Sequence, residues 1–273
     1  MEEGLYLHKT EIIRWQNGEY NLEEDFLSIE EPLAIEVNGQ RIAMLMRLPG
    51  AEKELAVGFL LSEGILASLK DIYILAHCGS VLPGEKSDDP FTPSRNIVTI
   101  TAKSMKLAPD AAMLLIRSGC GRTSVEDIAQ DLPRITSKLQ IKITILTAIA
   151  KKILDLQEVR KLAGGVHLAA LFDHTGELII AHEDVGRHNA ADKVIGYAVL
   201  NKIPLAQTIL YNTGRASYEL ITKCARMNIP IIASKSSPTS LAVEFAKNAG
   251  ATLCGFVRPN RANIYSGAER IEF

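Results

Sequence analysis

The sequence has few features of secreted, membrane-spanning or strongly charged proteins. Its four cysteines lie far apart among 273 residues, which favours reduced thiols over a disulfide framework or a closed zinc site. No apolar run approaches the roughly 18 residues of a membrane span, and the start is acidic where a secretory signal would be basic. The 30 Lys and Arg nearly balance 32 Asp and Glu, so no global field attracts nucleic acid or an anionic membrane. We expect a cytoplasmic protein with neither nucleic-acid nor membrane partners.

Two different hydrophobic patterns predict two domains, residues 1–135 and residues 136–273. Apolar and polar positions alternate on either side of Asn38 and Gly39, a strong hairpin signal, so we expect a smaller, β-rich α+β first domain. In the second domain a helical segment over residues 142–162 precedes alternating strands and helices, which is typical of α/β proteins. The predicted strands cover 166–172, 177–182, 208–212, 230–234 and 252–257, and the predicted helices cover 188–201, 217–227 and 238–249.

Polar loops follow the last four of these strands. Strands joined through single helices are expected to be parallel, so all four loops should open onto the same edge of the sheet. Ligands of open parallel sheets bind beyond the carboxyl ends of the strands, where helix N-termini also favour anions. The loops and the helix starts that follow them carry six cationic residues: Arg187, Lys193, Arg215, Lys235, Arg258 and Arg261. The sequence therefore predicts an anionic, phosphate-bearing ligand at this edge.

The start of the helix over 188–201 offers two local side-chain pairs. His188 with Asp192, and Asn189 with Lys193, are each four residues apart, so each pair is expected to stack on consecutive turns. Because the helix dipole disfavours a positive charge near a helix N-terminus, His188 is expected to act as a neutral hydrogen-bonding group.

Two features of the loops have alternative explanations. Glu183 and Asp184 are suited either to receive the N–H edge of a guanine or to pair with Arg187, and the sequence leaves both open. Ser237 followed by Pro238 predicts an N-cap and first-turn pair for the next helix, which is a purely structural role.

The cysteines differ in their surroundings. Cys224 and Cys254 lie in apolar segments and are expected to be buried core thiols. Cys78 ends a predicted strand without a neighbouring base. Cys120 has small neighbours and is flanked by arginines at positions 117 and 122, conditions that favour an accessible thiolate. A turn cysteine without a role is the alternative for Cys120.

Seven segments carry a resemblance to a known family. They are EPLAIEVNG (31–39), GFLLSEGI (58–65), the loop around Cys120, GGVHLAAL (164–171), EDVGRHNAADKVIG (183–196), TGRASYEL (213–220) and SPTSLAVEFAKNAGATLCGF (237–256). With these segments the chain resembles the FdhD/NarQ family of formate dehydrogenase accessory sulfurtransferases. The resemblance implies a cytidine-deaminase-like three-layer α/β domain with a mainly parallel sheet, joined to the smaller N-terminal domain, and a homodimer.

The resemblance also implies an activity. Cys120 would accept persulfide sulfur from a cysteine desulfurase and deliver it to the molybdenum bis(molybdopterin guanine dinucleotide) cofactor of the formate dehydrogenase catalytic subunit. GDP is expected to mimic this cofactor at the predicted edge. The residues expected to bind it are Arg187, His188, Asn189, Gly214, Arg215, Ser236, Ser237, Phe256, Val257, Arg258, Pro259, Asn260 and Arg261.

Two alternatives accompany this expectation. The family commonly carries Cys-x-x-Cys where this chain has Thr123 three residues after Cys120, so a chaperone that binds the cofactor without transferring sulfur is the first. A zinc deaminase is the second, suggested by the fold resemblance and His167. The deaminase signature needs Glu where Ala169 stands and a downstream Pro-Cys-x-x-Cys, so no zinc is expected.

Overall fold

A β-hairpin arm precedes the rest of the fold. The computed structural model of the protein describes residues 3–78, 96–106 and 132–273. After the short helix α1 (Glu3–Tyr6), strands β1 (Leu7–Gln16) and β2 (Glu19–Ser28) pair with each other in antiparallel fashion to form a two-stranded sheet. Asn17 and Gly18 make the turn with positive φ angles of 54° and 92°. The arm, residues 7–28, was not predicted from the sequence.

A four-stranded sheet follows the arm. It consists of β3 (Glu31–Val37), β4 (Gln40–Arg47), β5 (Ile72–Cys78) and β6 (Ile97–Ala102), in the order β4-β3-β6-β5. The predicted hairpin at Asn38 and Gly39 is confirmed by the antiparallel pairing of β3 with β4. Helix α2 (Glu52–Ser62) buries Leu55, Phe59 and Leu60 against this sheet. We call residues 31–78 and 96–106 the N-terminal unit.

A six-stranded sheet dominates the second half. Its strands are β8 (His167–Asp173), β9 (Leu178–Asp184), β10 (Thr208–Asn212), β11 (Ile231–Ser234), β12 (Thr252–Arg258) and β13 (Arg261–Ser266), in the order β13-β12-β11-β10-β8-β9. Strands β10, β11 and β12 are parallel, as predicted. The sheet as a whole is mixed rather than mainly parallel, because the tight turn between β8 and β9 makes them antiparallel and places β8 between β9 and β10.

Helices cover both faces of this sheet. Helices α5 (Arg187–Leu200), α6 (Tyr218–Arg226) and α7 (Ser240–Ala249) share one core with residues such as Leu171 and Leu210. The alternate strand residues, such as Leu168 and Ile209, face helix α3 (Ile143–Lys152). The three crossover helices lie on one face because the strand order advances in one direction from β9 to β12. These strands therefore form no crevice of the kind that a reversal of strand order produces.

The segment between the two sheets differs from its prediction. The single helical segment expected over residues 142–162 is two helices, α3 and α4 (Glu158–Ala163), and α4 ends at Gly164 as predicted. Strand β7 (Ile141–Lys142) precedes α3 and pairs in parallel with β14 (Ile271–Glu272) at the end of the chain. The predicted domain boundary at residue 135 remains a prediction.

Two helices join the N-terminal unit to the six-stranded sheet. Helices α2 and α5 pack so closely that a methyl group on Gly58 would overlap the backbone carbonyl of Asp192. A methyl group on Gly196 would likewise overlap the carbonyl of Glu54. Within the described ranges no helix combines the length and the apolarity that a membrane crossing requires.

Candidate functional site

The ends of four strands meet at one edge of the six-stranded sheet. Strands β9, β10, β11 and β12 run in the same direction, which confirms that their following loops open together. Strand β8 runs the opposite way, so His167 at its start lies at this edge too. We call residues 184–188, 213–217, 235–239 and 256–261 the polar edge.

Arg187, Gly214 and His167 come together at the centre of the polar edge. A Cβ atom on Gly214 would lie 3.0 Å from Cδ of Arg187 and 3.4 Å from Nδ1 of His167, so the absence of a side chain at 214 makes room for both. Nε of Arg187 is buried and has no hydrogen-bond partner among the described residues. Arg187 and Gly214 were expected from the sequence to bind the ligand, whereas His167 was considered only as a feature that suggests a zinc deaminase.

His188 faces helix α6 rather than its own helix. Its Nε2 lies 3.1 Å from the hydroxyl of Ser217 and 3.7 Å from the carboxylate of Glu219. The expected stacking of His188 on Asp192 is therefore wrong. Burial, reinforced by the charge of Arg187, lowers the pKa of His188 to about 4, so the ring is neutral near pH 7 as the sequence predicts.

Three residues at the end of β9 and in helix α5 form hydrogen bonds with the backbone at the end of strand β4. Asp184 is fully buried, accepts a hydrogen bond from the N–H of Leu48 and lies 2.8 Å from Nζ of Lys193. Lys193 in turn donates to the carbonyl of Leu48 at 2.7 Å, and Asn189 donates to that of Met46 at 2.7 Å. These hydrogen bonds attach the N-terminal unit to the second half of the chain.

This arrangement corrects three expectations. Asn189 does not pair with Lys193, because both reach across to the N-terminal unit instead. Lys193, expected among the six cations presented to a ligand, is 1% exposed and neutralised by Asp184. Asp184 is correspondingly unavailable either to a guanine or to Arg187.

A second buried ion pair lies in the same interface. Lys223 of α6 donates to both carboxylate oxygens of Asp192 at 2.9 and 2.8 Å, and to the hydroxyl of Ser62 at 2.9 Å. It also lies 2.9 Å from the carboxylate of Glu63. Burial alone would lower the pKa of Lys223, but the carboxylates of Asp192 and Glu63 outweigh burial and raise it. The ammonium group is therefore held charged inside the protein.

Glu183 neither pairs with Arg187 nor is free to receive a guanine, the two roles left open by the sequence. Its carboxylate accepts hydrogen bonds from the N–H groups of Val159 at 2.7 Å and Arg160 at 3.1 Å. These donors are in the first turn of α4, where a carboxylate is favoured. Burial raises the pKa of Glu183. Glu183 thus contacts the start of the second of the two helices that stand in place of the predicted long one.

The loops after β10 and β11 are tied to each other. The hydroxyl of Ser234 donates to the carbonyl of Gly214 at 2.6 Å, and the carbonyl of Ser237 accepts from the N–H of Ala216 at 3.3 Å. Ser237 was expected to cap the following helix, but the N-cap is Thr239, whose hydroxyl accepts from the N–H of Ala242. In contrast, helices α5 and α6 begin without a side-chain cap at Gly186 and Ser217, which leaves their first N–H groups suited to an anion.

The turn between β12 and β13 completes the polar edge. Phe256 adopts a positive φ of 51° and donates its N–H to the carbonyl of Ser236 at 3.1 Å. The guanidinium of Arg261 lies 5.6 Å from the centre of the Phe256 ring, within cation–π range. Pro259 and Asn260 are exposed at the tip of the turn, whereas Val257 is buried and accepts the hydroxyl hydrogen of Tyr211.

Positive charge accumulates at the polar edge. Burial lowers the pKa of His167, and the charges of Arg187 and Arg160 lower it further. Burial likewise lowers the pKa of Lys235, helped by Arg160 and Arg258. The guanidinium of Arg258 donates to the carbonyls of Lys235 and Val257. Arg160 was missed by sequence reasoning, because it comes from a helix remote from the four loops and no motif marks it.

Arg215 and Arg261 are exposed, whereas Arg187, Lys235 and Arg258 are half-buried. Ser236 is half-buried, and its N–H donates to the hydroxyl of Ser234 at 3.1 Å. The structure thus places most of the predicted ligand-binding residues along one surface, whereas Asn189 and Lys193 lie in the interface with the N-terminal unit.

The described cysteines are distributed as predicted. Cys224 and Cys254 are fully buried, and burial raises the pKa of both thiols, to about 12 for Cys254. Cys78 is exposed at the end of β5. Cys120, the predicted sulfur-carrying residue, lies outside the described residues. The described ranges hold no group of three or more His, Cys, Asp or Glu side chains placed to bind a metal ion.

Comparisons with known proteins agree with one another. The model of the FdhD/NarQ family matches residues 28–272. A sulfur carrier protein FdhD from Streptomyces coelicolor is 36% identical over 98% of this chain and 96% of its own. A sulfur carrier protein FdhD from Saccharolobus solfataricus is 35% identical over 98% of this chain and 99% of its own. A solved structure, a formate dehydrogenase accessory protein from Desulfotalea psychrophila, superposes with a TM-score of 0.75 at 27% identity, covering 98% of this chain and all of the other.

Proposed function

The chain belongs to the FdhD/NarQ family, and from that membership we propose that it is a sulfur carrier in the maturation of formate dehydrogenase. The observation that supports this most directly is the polar edge, where Arg187, Lys235 and two uncapped helix starts face one surface. A carrier for a cofactor with phosphate groups needs such a surface.

Cys120 is the residue that takes up sulfur in this proposal. Its thiolate attacks the outer sulfur of a persulfide on a cysteine desulfurase. The desulfurase thiolate leaves, so one S–S bond breaks as another forms, with no net oxidation. Thr123 stands where a second thiol would resolve the new persulfide, so the sulfur stays on Cys120 until the cofactor or an external thiol removes it.

The client cofactor, molybdenum bis(molybdopterin guanine dinucleotide), is the acceptor in this proposal. Its phosphates are bound by the starts of α5 and α6 and by the guanidinium groups of Arg187 and Arg215. The aromatic ring of Phe256, already stacked with Arg261, suits contact with a guanine. The formate dehydrogenase catalytic subunit receives the cofactor afterwards.

Binding of GDP tests the proposed cofactor surface. Arg187→Ala together with Arg215→Ala should weaken GDP binding in calorimetry by a factor of about 10 to 100 for each charge-assisted hydrogen bond that the substitutions remove. Arg41→Ala is the matched control, because Arg41 is exposed on β4 and pairs with Glu36. Equal GDP affinity in the wild type, the double variant and the control would contradict the assignment.

Intact mass after incubation with a cysteine desulfurase and cysteine tests Cys120. Cys120→Ser should abolish the gain of about 32 Da that one sulfur atom adds, whereas Cys78→Ser, which removes the exposed thiol at the end of β5, should retain it. A gain that survives in Cys120→Ser and disappears in Cys78→Ser would assign the sulfur to Cys78.

The second candidate function is a cofactor-binding chaperone without sulfur transfer, favoured by Thr123 in place of the second motif cysteine. It predicts that Cys120→Ser binds GDP normally, takes up no sulfur, and still matures formate dehydrogenase. Sulfur transfer predicts that the same variant binds GDP but leaves formate dehydrogenase inactive.

A further inference from the structure

Helices α6 and α7 begin with the same backbone shape but are capped differently. The N-cap residue of α6 is Ser217, with φ −98° and ψ 166°, and that of α7 is Thr239, with φ −85° and ψ 160°. Hydroxyl residues are preferred at this position because the side-chain oxygen accepts a hydrogen bond from an N–H group of the first turn. Thr239 accepts such a bond from Ala242, whereas Ser217 forms none with its helix. Residue type and backbone geometry therefore do not explain the difference.

A contact with His188 distinguishes Ser217. Nε2 of His188 lies 3.1 Å from the hydroxyl oxygen of Ser217. That oxygen has two lone pairs, so one hydrogen bond does not exhaust it, but the bond does fix the direction in which the hydroxyl lies. In that direction the oxygen does not cap the N–H of Leu220, which is three positions after the N-cap, as Ala242 is in α7. His188 thus takes the hydroxyl that would otherwise cap α6.

His188 also lies beside the acidic residue of the same helix start. The carboxylate of Glu219, in the first turn of α6, is 3.7 Å from the same Nε2. A first-turn carboxylate interacts favourably with a helix N-terminus, so it competes there with an incoming anion. The arrangement is not a catalytic triad, because the acid of a triad bonds the other ring nitrogen. Two side chains that could satisfy the α6 start therefore lie beside His188.

The residue before His188 leaves a donor unused on the same part of the polar edge. Arg187 extends towards Gly214, where a Cβ atom would lie 3.0 Å from its Cδ, and Gly214 is three residues before Ser217. Nε of Arg187 is buried and has no hydrogen-bond partner within residues 3–78, 96–106 and 132–273. A buried donor without an acceptor is unfavourable. The open start of α6 and Nε of Arg187 thus both lack an acceptor that a ligand could provide.

We propose that His188 is a positioning residue, which holds the hydroxyl of Ser217 aside so that the first N–H groups of α6 stay open to a phosphate group of the ligand. This inference rests on the proposed function, which supplies the phosphate-bearing ligand. His188 acts through Ser217 and does not itself bind the phosphate. The ligand-free helix lacks one cap hydrogen bond, and the phosphate provides the missing acceptor when it binds.

Amide hydrogen exchange of the ligand-free protein tests the positioning directly. In the wild type the N–H of Leu220 should exchange faster than that of Ala242, because only Ala242 is bonded to a cap hydroxyl. In His188→Leu the released hydroxyl should cap α6, so exchange at Leu220 should slow by about 2- to 30-fold, the range that an N-cap hydrogen bond gives. Adding Ser217→Ala should restore fast exchange. Ala242 is the internal reference, since its exchange should be the same in every variant.

GDP affinity measures the consequence for the ligand. In calorimetry His188→Leu should bind GDP about 2- to 30-fold more weakly than the wild type, because the phosphate must then displace a cap. The double variant His188→Leu with Ser217→Ala should recover most of this loss, a coupling that only two interacting side chains show. His188→Gln keeps an amide that can bond the hydroxyl, so it should lose less affinity than His188→Leu. His174→Leu, on the exposed turn after β8, is the control and should bind GDP as the wild type does.

Three results would overturn the positioning role of His188. The first is exchange at Leu220 as slow as at Ala242 in the wild type, and the second is exchange at Leu220 that His188→Leu leaves unchanged. The third is a double variant that binds GDP as weakly as His188→Leu, which would mean that His188 touches the ligand or only supports the fold. A wild type that does not bind GDP would instead contradict the proposed function, and exchange in the ligand-free protein would still decide whether His188 positions Ser217.

Discussion

His188 is a half-buried neutral side chain, and this has a consequence for stability. Its pKa is about 4 in the folded protein and near 6.5 in the unfolded chain. Between these values the unfolded chain binds more protons, so the free energy of unfolding should fall as pH is lowered from about 6.5 to 4. Because the side chain is 30% exposed, we expect a loss of roughly 1 to 2 kcal/mol from this residue.

Urea unfolding of the wild type and of His188→Gln at pH 7 and pH 4.5 measures this contribution. As the pH falls from 7 to 4.5, the free energy of unfolding should decrease more in the wild type than in His188→Gln. His174→Gln is the control, since His174 is exposed on the turn after β8. A difference that is the same at both pH values would exclude a lowered pKa for the half-buried His188.

Lys223 should be more important for stability than its charge alone suggests. Lys223→Met leaves Asp192 buried without its partner, a change that typically costs about 3 to 5 kcal/mol. Lys247→Met, on the exposed side of α7, should cost less than about 1 kcal/mol. Chemical denaturation measures both, and Asp192→Asn in the Lys223→Met background should recover part of the stability. Equal destabilisation by the two lysine variants would contradict a buried ion pair.

Predictions for single residues succeeded where apolar neighbours in sequence indicate burial, and they failed where the bonding partner is distant in sequence. The burial of Cys224 and Cys254 follows from their apolar neighbours in sequence. The helical spacing of Asn189 and Lys193 gave a wrong pair, because Lys193 bonds to a carbonyl 145 positions away. Sequence spacing states which side chains are neighbours on a helix, but it carries no information about a strand from another unit that competes for them.

At the scale of elements, the crossing of α2 and α5 depends on two glycines. Gly58→Ala and Gly196→Ala each place a methyl group against the backbone of the other helix, so the helices must separate. We expect each to cost at least about 1 to 3 kcal/mol, the usual range for overpacking. Gly4→Ala is the control, since nothing lies within 4 Å of the added atom. Thermal unfolding midpoints that match the control would refute this close crossing.

The success of the element predictions depended on their local signals. The Asn38 and Gly39 turn was recognised because apolar and polar residues alternate around it. Asn17 and Gly18 form a turn with the same signal, and apolar residues alternate with polar ones on both sides of it, yet this signal was not used and the arm was missed. The strands and crossover helices of the second half were found because their hydrophobic runs are long and regularly spaced.

At the scale of the whole molecule, the N-terminal unit and the six-stranded sheet should open together. The glycine crossing joins them, and two buried ion pairs of the second half contact Leu48, Ser62 and Glu63 of the N-terminal unit, so separating the two exposes buried charged groups. In hydrogen exchange with increasing denaturant, amides of β3 and β6 should reach the same opening free energy as those of β10 and β11. Amides of the outer arm should exchange earlier. Opening of the four-stranded sheet at a lower free energy would show that the two behave as separate units.

The anchoring of the C-terminus determines how the protein is best attached to a surface. Strand β14 is paired with β7, and Phe273 beyond it is 84% exposed. This end lies beside the turn between β8 and β9, about 20 Å along the strands from the polar edge. If the protein is attached to a surface through a biotin placed after Phe273, its polar edge should therefore face the solution.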